Sequence, residues 1–383
     1  MGILRVYLAL CVVADHGGSV LPWRMHTGSQ AVQMFYIISG FYMAMVLSSR
    51  YSKPRDFYLS RFLRIFPPYW LVLAATFILS LAGGLLFNRW LMLRTYINHP
   101  FEHNGASGIF LAVLFNITLI GQDWIMFLKH DLGQSLQFTA DWSNDPSPLW
   151  RYLVIPQSWT IGVELTFYAI APFLNRLRSG WLVAIIAGSF AARLAAYQYL
   201  GLAHDPWEYR FFAFEMGLFL FGMLGYRLYA KFNASQSLQK WQSFSWLSYI
   251  AGAVVLLIVM YFHVWTVQFL GQIISPHIAV LATYPLFIII IPIFFFVFGK
   301  NGCDRMIGEI SYPIYLVHYL VIVAFANLLN IGPGEKLGRV SAVVSAVLAV
   351  FMYRKFIAPI DRRRHDLGAK NIAARSAAAN HSK

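Results

Sequence analysis

The chain has 383 residues, 58% hydrophobic, 17% aromatic and only 12% charged, with a mean hydropathy of +0.57. Repeated apolar runs of spanning length exclude a soluble globular domain. The net charge of +14 does not point to nucleic acid, because the basic residues gather in short loops and at the C-terminal end, the pattern that orients a membrane protein.

The first apolar stretch, residues 3–23, is long enough to cross a bilayer yet carries Arg5, Asp15 and His16. Ionisable groups in a spanning helix are costly in hydrocarbon and tend to mark function. Arg5 and His16 are eleven positions apart, close to three helical turns, so they share a face about 16 Å apart along the axis. A polar loop, His26–Gln30, leads to the apolar run 31–48. The most basic loop follows, with Arg50, Lys53, Arg55, Arg61 and Arg64. Pro67 and Pro68 suit the first turn of a new helix, which places the third span at 69–87.

The apolar segment 109–121 is short for a span and is expected to be re-entrant or half-buried. Residues 122–155 are polar and include Asp123, Asp131, Asp141 and Asp145. Further runs lie at about 156–174, 181–200, 211–229, 244–262, 278–298, 310–331 and 337–357. The fold class is therefore all-α, a polytopic integral membrane bundle of about ten spans plus the short segment. Residues 1–357 form the transmembrane domain, and the basic, Ala-rich residues 358–383 are expected to be a disordered cytoplasmic tail. With both termini cytoplasmic, 21 of the 30 Lys and Arg residues fall on the inner side or in the tail. That is the orientation expected in a bacterial-type cytoplasmic (inner) membrane. No cleavable signal, internal repeat or metal-ligand spacing is evident, and Cys11 and Cys303 are not expected to pair.

Three further stretches carry ionisable groups inside apolar runs. Glu164 sits in Ser158-Trp-Thr-Ile-Gly-Val-Glu164-Leu-Thr-Phe-Tyr168, near the middle of its helix. Arg210 and Glu215 lie in Arg210-Phe-Phe-Ala-Phe-Glu-Met-Gly217, with Glu215 as fit for a structural role as for a functional one. Tyr315 and His318, at i and i+3, share a face in Gly308-Glu-Ile-Ser-Tyr-Pro-Ile-Tyr-Leu-Val-His318, where Ser311 and Pro313 read as a helix start. A neutral imidazole such as His16 can take a proton from a hydroxyl that attacks a carbonyl. A carboxylate can set the imidazole's tautomer and stabilise its protonated form. Asp15 and Glu164 are both candidates for that partner, although adjacent helical residues diverge by about 100°. Arg61 and Arg64 suit a phosphate-bearing donor or lipid headgroups. Phosphate-binding loops, nucleophile elbows and zinc-protease motifs are absent.

These stretches resemble the membrane-bound acyltransferase-3 family, of the carbohydrate O-acetyltransferase type. The matching features are the Arg5/His16 spacing, F-Y-I-I-S-G-F at 35–41, R-x-x-R-I-x-P at 61–67, and the three stretches around Glu164, Arg210 and His318. They occur in family order along nearly the whole chain. The resemblance implies a ten-helix bundle, acyl-CoA (acetyl-CoA foremost) as a cytoplasmic donor with no bound cofactor, and a carbohydrate hydroxyl as acceptor. It also implies His16 as the catalytic histidine and Arg5 as its motif partner. The expected site thus has His16, Glu164 and Arg5 in catalysis, with Glu164 orienting His16. Arg61, Arg64, Tyr315, His318, Arg210 and Asp15 would bind substrate or donor, with Tyr315 and His318 lining the same cavity. Expected partners are the lipid bilayer, acyl-CoA, a glycan such as exopolysaccharide or lipopolysaccharide, and polysaccharide-assembly proteins. The rival reading is a proton-coupled transporter or flippase of a glycan precursor that uses Asp15, His16 and Glu164 as a proton relay.

Overall fold

The computed structural model describes residues 1–51, 53–98, 101–130, 136–233, 246–364 and 366, with the backbone alone for 101–106. The apolar runs become helices: α1 (Gly2–Gly17), α2 (Gly28–Ser49), α3 (Pro54–Phe87), α4 (Arg94–Asn98) and α5 (Phe101–Thr118). A short antiparallel hairpin follows, β1 (Leu128–His130) against β2 (Leu136–Phe138), with Leu128 opposite Phe138. Apart from this hairpin the described fold is helical, as expected; Asp131 lies outside the described residues. Next come α6 (Trp159–Leu174), α7 (Ser179–Leu200), α8 (Phe212–Asn233), α9 (Trp246–Ile273), α10 (Pro276–Thr283), α11 (Phe287–Phe298), α12 (Gly302–Leu328) and α13 (Glu335–Met352).

Among the described residues, seven helical stretches are long and apolar enough to cross a membrane: α2, α3, α7, α9, α10 with α11, α12, and the helix from Glu335 to Arg364. Their outer faces expose Phe77, Leu85, Leu247, Phe262 and Val343, apolar groups that bulk water would not favour and lipid does. The chain is a multi-pass helical membrane protein. The segment expected at 109–121 is the second half of α5, an 18-residue helix, and the turn after it.

Three boundaries differ from the sequence reading, each for a reason of backbone satisfaction. Pro67 and Pro68 do not start a helix; they lie inside α3, which begins at Pro54 and runs 34 residues. Arg55, Arg61 and Arg64 are thus helical, not in a loop. The prolines deprive the carbonyls one turn earlier of their donors, a defect that neighbouring side chains offset in a bundle. Close by, the Tyr312 hydroxyl donates to the Ile65 carbonyl at 3.0 Å. Pro313 is likewise interior, because α12 starts a full three turns earlier, where the Asn301 side chain accepts from the Cys303 and Asp304 amides. Finally, the boundary at 357/358 falls inside a helix. A π turn at Tyr353–Ile357 carries α13 onward to Arg364, and Asp361 and Arg364 form a buried pair at 2.9 Å. Residues 365 and 367–383 lie outside the described residues.

The centre of the bundle is α2 packed on α8, with α1, α12 and α13 packed together beside it. α2 starts at a capping box in which Thr27 and Gln30 satisfy each other's amides. Its crossing with α8 is backbone against backbone. A Cβ on Gly222 would stand 1.8 Å from the Ile37 carbonyl oxygen, and one on Gly40 would stand 1.8 Å from that of Phe219. Small residues permit such an approach between helices in lipid, where packing drives association. Gly222→Ala is expected to lower the thermal midpoint in detergent by an amount equivalent to about 1–3 kcal/mol or more, as overpacking does. Gly188→Ala, where a new Cβ meets nothing within 4 Å, is expected to leave it unchanged. An unchanged midpoint for Gly222→Ala would refute the close crossing.

Away from that crossing, a buried polar chain ties α9 to the loop before α2. The Tyr7 hydroxyl bonds His26 Nδ1 at 3.0 Å, and His26 Nε2 bonds His263 Nδ1 at 2.9 Å. Burial beside His263 pulls the loop residue His26 down to about 3, so His26 is neutral at physiological pH.

Candidate active site

The shared face of α1 holds as expected, but its two ends serve different surroundings. Near the N-terminal end, the Asp304 side chain accepts from the Gly2 amide at 2.7 Å and from the Ile3 amide at 3.1 Å, which docks α1 on α12. One turn on, Arg5 enters a cavity of about 460 Å³ enclosed by α1, α2, α3, α6 and α12. Its cationic lining includes Arg5, Arg50, Arg61, Arg64, Arg305 and Arg364; its inner end is formed by Tyr36, Ser39, Thr160, Glu164 and Tyr315.

The cations differ in how they are held. Arg64 pairs with Glu309 at 2.8 Å. Arg61, 9% exposed, reaches only Ser60 Oγ at 3.2 Å and Met43 sulfur, and its guanidinium lies about 6 Å from the Phe57 and Tyr168 rings. Among the described residues neither Arg61 nor Arg5 has a carboxylate within ion-pair distance. Two cations facing a cavity without a salt-bridge partner make it a natural seat for an anion.

Glu164 also lines this cavity, but its role is not the expected one. Its carboxylate accepts from the Ser39 and Tyr168 hydroxyls and makes no hydrogen bond to His16. Asp15 is not the partner either. It is exposed and packs its carboxylate against Gly28, at the positive N-terminal end of α2.

What holds His16 is His318. His318 is fully buried, with Nδ1 at 2.7 Å from the Tyr315 carbonyl and Nε2 at 3.2 Å from His16 Nδ1. A carbonyl can only accept, so Nδ1 of His318 carries the proton and its Nε2 is the acceptor. His16 Nδ1 must then be the donor, which also suits its second partner, the Val12 carbonyl at 3.0 Å. The consequence is a His16 with its Nε2 lone pair free on an exposed ring, the tautomer a general base requires. Tyr319 packs edge-on to the ring, 5.3 Å between centroids.

Tyr315 connects the two regions. It lines the cavity, bonds the Gln157 carbonyl and Thr160 Oγ1 at 2.7 Å each, and offers its own carbonyl to His318. His318 and His16 do not line the cavity, contrary to the expectation for His318; they lie one layer beyond Tyr315, towards the C-terminal end of α1.

Arg210 lies outside the cavity as well, in the loop before α8. It is ion-paired with Asp205, donates to the Tyr209 hydroxyl at 2.7 Å and stacks 4.2 Å from the Trp159 ring. Burial pulls its pKa down, but Tyr209 and Asp205 outweigh that and raise it, keeping it charged within electrostatic reach of His16. Glu215 takes the structural role: with Gln33 and Arg193 it forms a buried polar knot. Asp123 is buried against Gly162 of α6, and desolvation lifts its carboxyl to about 6.

Sequence reasoning missed Gln157, Thr160, Ser39, Glu309 and Tyr36. Four of these five sit inside the quoted motifs and Gln157 directly precedes one, so the signal was present without the contacts that single them out.

A family model described as an acyltransferase domain, of the acyltransferase-3 type, matches residues 1–353. The chain is also 27% identical over 169 residues to the exopolysaccharide production protein ExoZ of Rhizobium meliloti (strain 1021), across 44% of this chain and 41% of ExoZ's length. No solved structure matches it. The family match runs from the helix bearing Arg5 and His16 through α12, which supplies His318, and into α13, so the chain belongs to the acyltransferase-3 family of membrane acyltransferases.

Proposed function

We propose that this protein moves an acyl group, acetyl foremost, from cytoplasmic acyl-CoA to a hydroxyl of an extracytoplasmic glycan such as exopolysaccharide or lipopolysaccharide. The observation that carries the reading is the pair of regions on α1. A cation-lined cavity surrounds Arg5, and an imidazole with a free Nε2 stands at the far end of the same helix. The match to an exopolysaccharide production protein supports a polysaccharide acceptor. The excess of Lys and Arg on the Arg5 side supports a cytoplasmic placement of the cavity in the inner membrane.

In this scheme the donor's phosphates sit against Arg5 and Arg61, and its acyl thioester reaches the inner end of the cavity. The acceptor hydroxyl approaches from the other side and gives its proton to His16 Nε2. Its oxygen bonds the acyl carbon, the carbon–sulfur bond then breaks, and the proton passes to the departing thiolate. His318 holds the His16 tautomer and shares the charge that forms. The transporter reading is less favoured, because among the described residues neither Asp15 nor Glu164 is hydrogen-bonded to His16.

The test is transfer of label from acetyl-CoA labelled in its acetyl group into an envelope-glycan fraction, using membranes containing the protein. Arg61→Ala is expected to weaken acetyl-CoA about 10- to 100-fold, as loss of a charge-assisted contact does, with kcat changed far less. It leaves no carboxylate stranded, so folding is not the confounding effect it would be for Arg64. Unchanged affinity in a folded Arg61→Ala protein would remove the donor site from this cavity.

A further inference from the structure

We infer that the hydroxyl of Tyr36 is the hydrogen-bond donor to the acyl carbonyl oxygen during transfer; this rests on the acyl-transfer reading of the same site. Tyr36 lines the inner end of the cavity, is 2% exposed, and its hydroxyl has no hydrogen-bond partner among the described residues. A buried hydroxyl left unpaired costs about 1–3 kcal/mol, so the unpaired Tyr36 hydroxyl calls for an absent partner. Its neighbours in the cavity, Ser39, Glu164, Thr160 and Tyr315, already satisfy one another. Of these inner-end groups, Tyr36 is the one whose hydroxyl has no partner among the described residues.

Its position fits the reacting carbonyl. Tyr36 is eight residues beyond Gly28, about 12 Å along α2 from the end where Asp15 packs. Side chains on a helix lean towards its N-terminus, so this hydroxyl is tilted from the cavity towards the His16 end. Arg210 acts electrostatically on both Tyr36 and His16. The other charged groups in its field are Glu164, Glu215 and Asp123.

The ring is also held still. It stacks on Phe219 with 4.7 Å between centroids, and Phe219 is brought there by the glycine crossing of α2 and α8. A donor fixed before the reaction is the kind that stabilises developing charge without reorganisation. As the acceptor oxygen bonds the acyl carbon, the carbonyl electron pair moves onto its oxygen, and the Tyr36 O–H donates to that oxyanion. The pair returns when the carbon–sulfur bond breaks. Tyr36 keeps its proton throughout, and the acceptor's proton goes by way of His16 to the thiolate.

The experiment compares wild type, Tyr36→Phe and His16→Ala in the labelled acetyl-CoA assay, with thermal midpoints measured in detergent. Tyr36→Phe is expected to lower kcat about 10²- to 10³-fold, the effect of losing one such donor. The KM for acetyl-CoA should stay within about twofold, and the midpoint should be unchanged or raised, since an unpaired buried hydroxyl has been removed. Unchanged kcat in Tyr36→Phe beside His16-dependent turnover in wild type overturns this inference alone. A midpoint that falls along with the rate makes the hydroxyl structural and overturns it as well. No transfer by wild type overturns the acyl-transfer reading, and this inference with it.

Discussion

His16→Ala is expected to stay folded in the membrane and to lose acyl transfer about 10²- to 10⁴-fold, the range that a positioned general base supplies. The ring is exposed and its hydrogen bonds run to His318 and to the Val12 carbonyl of its own helix. Removing it therefore opens no large void, and stability should change little. Donor binding should survive, because Arg5 and Arg61 lie in the cavity at the other end of α1. The measurement is label transfer from acetyl-CoA alongside acetyl-CoA affinity. Full activity in a folded His16→Ala protein would remove His16 from the chemistry altogether.

The second large effect is expected at His318, which never touches the substrates in this scheme. His318→Ala takes away the acceptor that holds the proton on His16 Nδ1, so the reactive tautomer is no longer favoured, and about 10²-fold in kcat should go with it. His318 is fully buried, so the truncation also leaves a hole, and a lower thermal midpoint is expected too. His318→Gln separates the two effects. Its amide N–H₂ can donate to the Tyr315 carbonyl and its amide oxygen can accept from His16, the same polarity as the native ring. Partial rescue by Gln is therefore the expected result. In the double variant His16→Ala/His318→Ala, the rate should be no lower than in His16→Ala alone, since the two act as a unit. Additive losses would show that His318 acts by some route other than His16.

Membrane character, helix content and the residues worth examining were legible from composition and spacing. Arg5, Arg61, Arg64, Glu164 and Tyr315 line the cavity and His16 bonds His318, whereas Asp15, Arg210 and Glu215 do not line the cavity. Two kinds of inference went astray. Proline rules written for helices in water misplaced the starts of α3 and α12. Inside a bundle, packing against neighbouring helices holds the segment helical, so a proline need not end a helix. The other error concerned partnership. Glu164 was the plausible carboxylate for His16, yet its hydrogen bonds run to Ser39 and Tyr168.

By itself, the sequence determined that the chain is a helical membrane protein, that Arg5 and His16 share a face, and which few ionisable groups interrupt the apolar runs. Those properties are local: they follow from hydropathy and from the helical repeat. Tertiary structure alone decided that Arg5 faces a cavity while His16 stands one layer beyond it, and that His318 holds the imidazole in place of a carboxylate. It alone left the Tyr36 hydroxyl unpaired. The physical reason is that a hydrogen bond depends on distances of a few tenths of an ångström between atoms on different helices. Such distances are set by how closely helices cross, here by glycines such as Gly40 and Gly222, and not by the spacing of residues along any one helix.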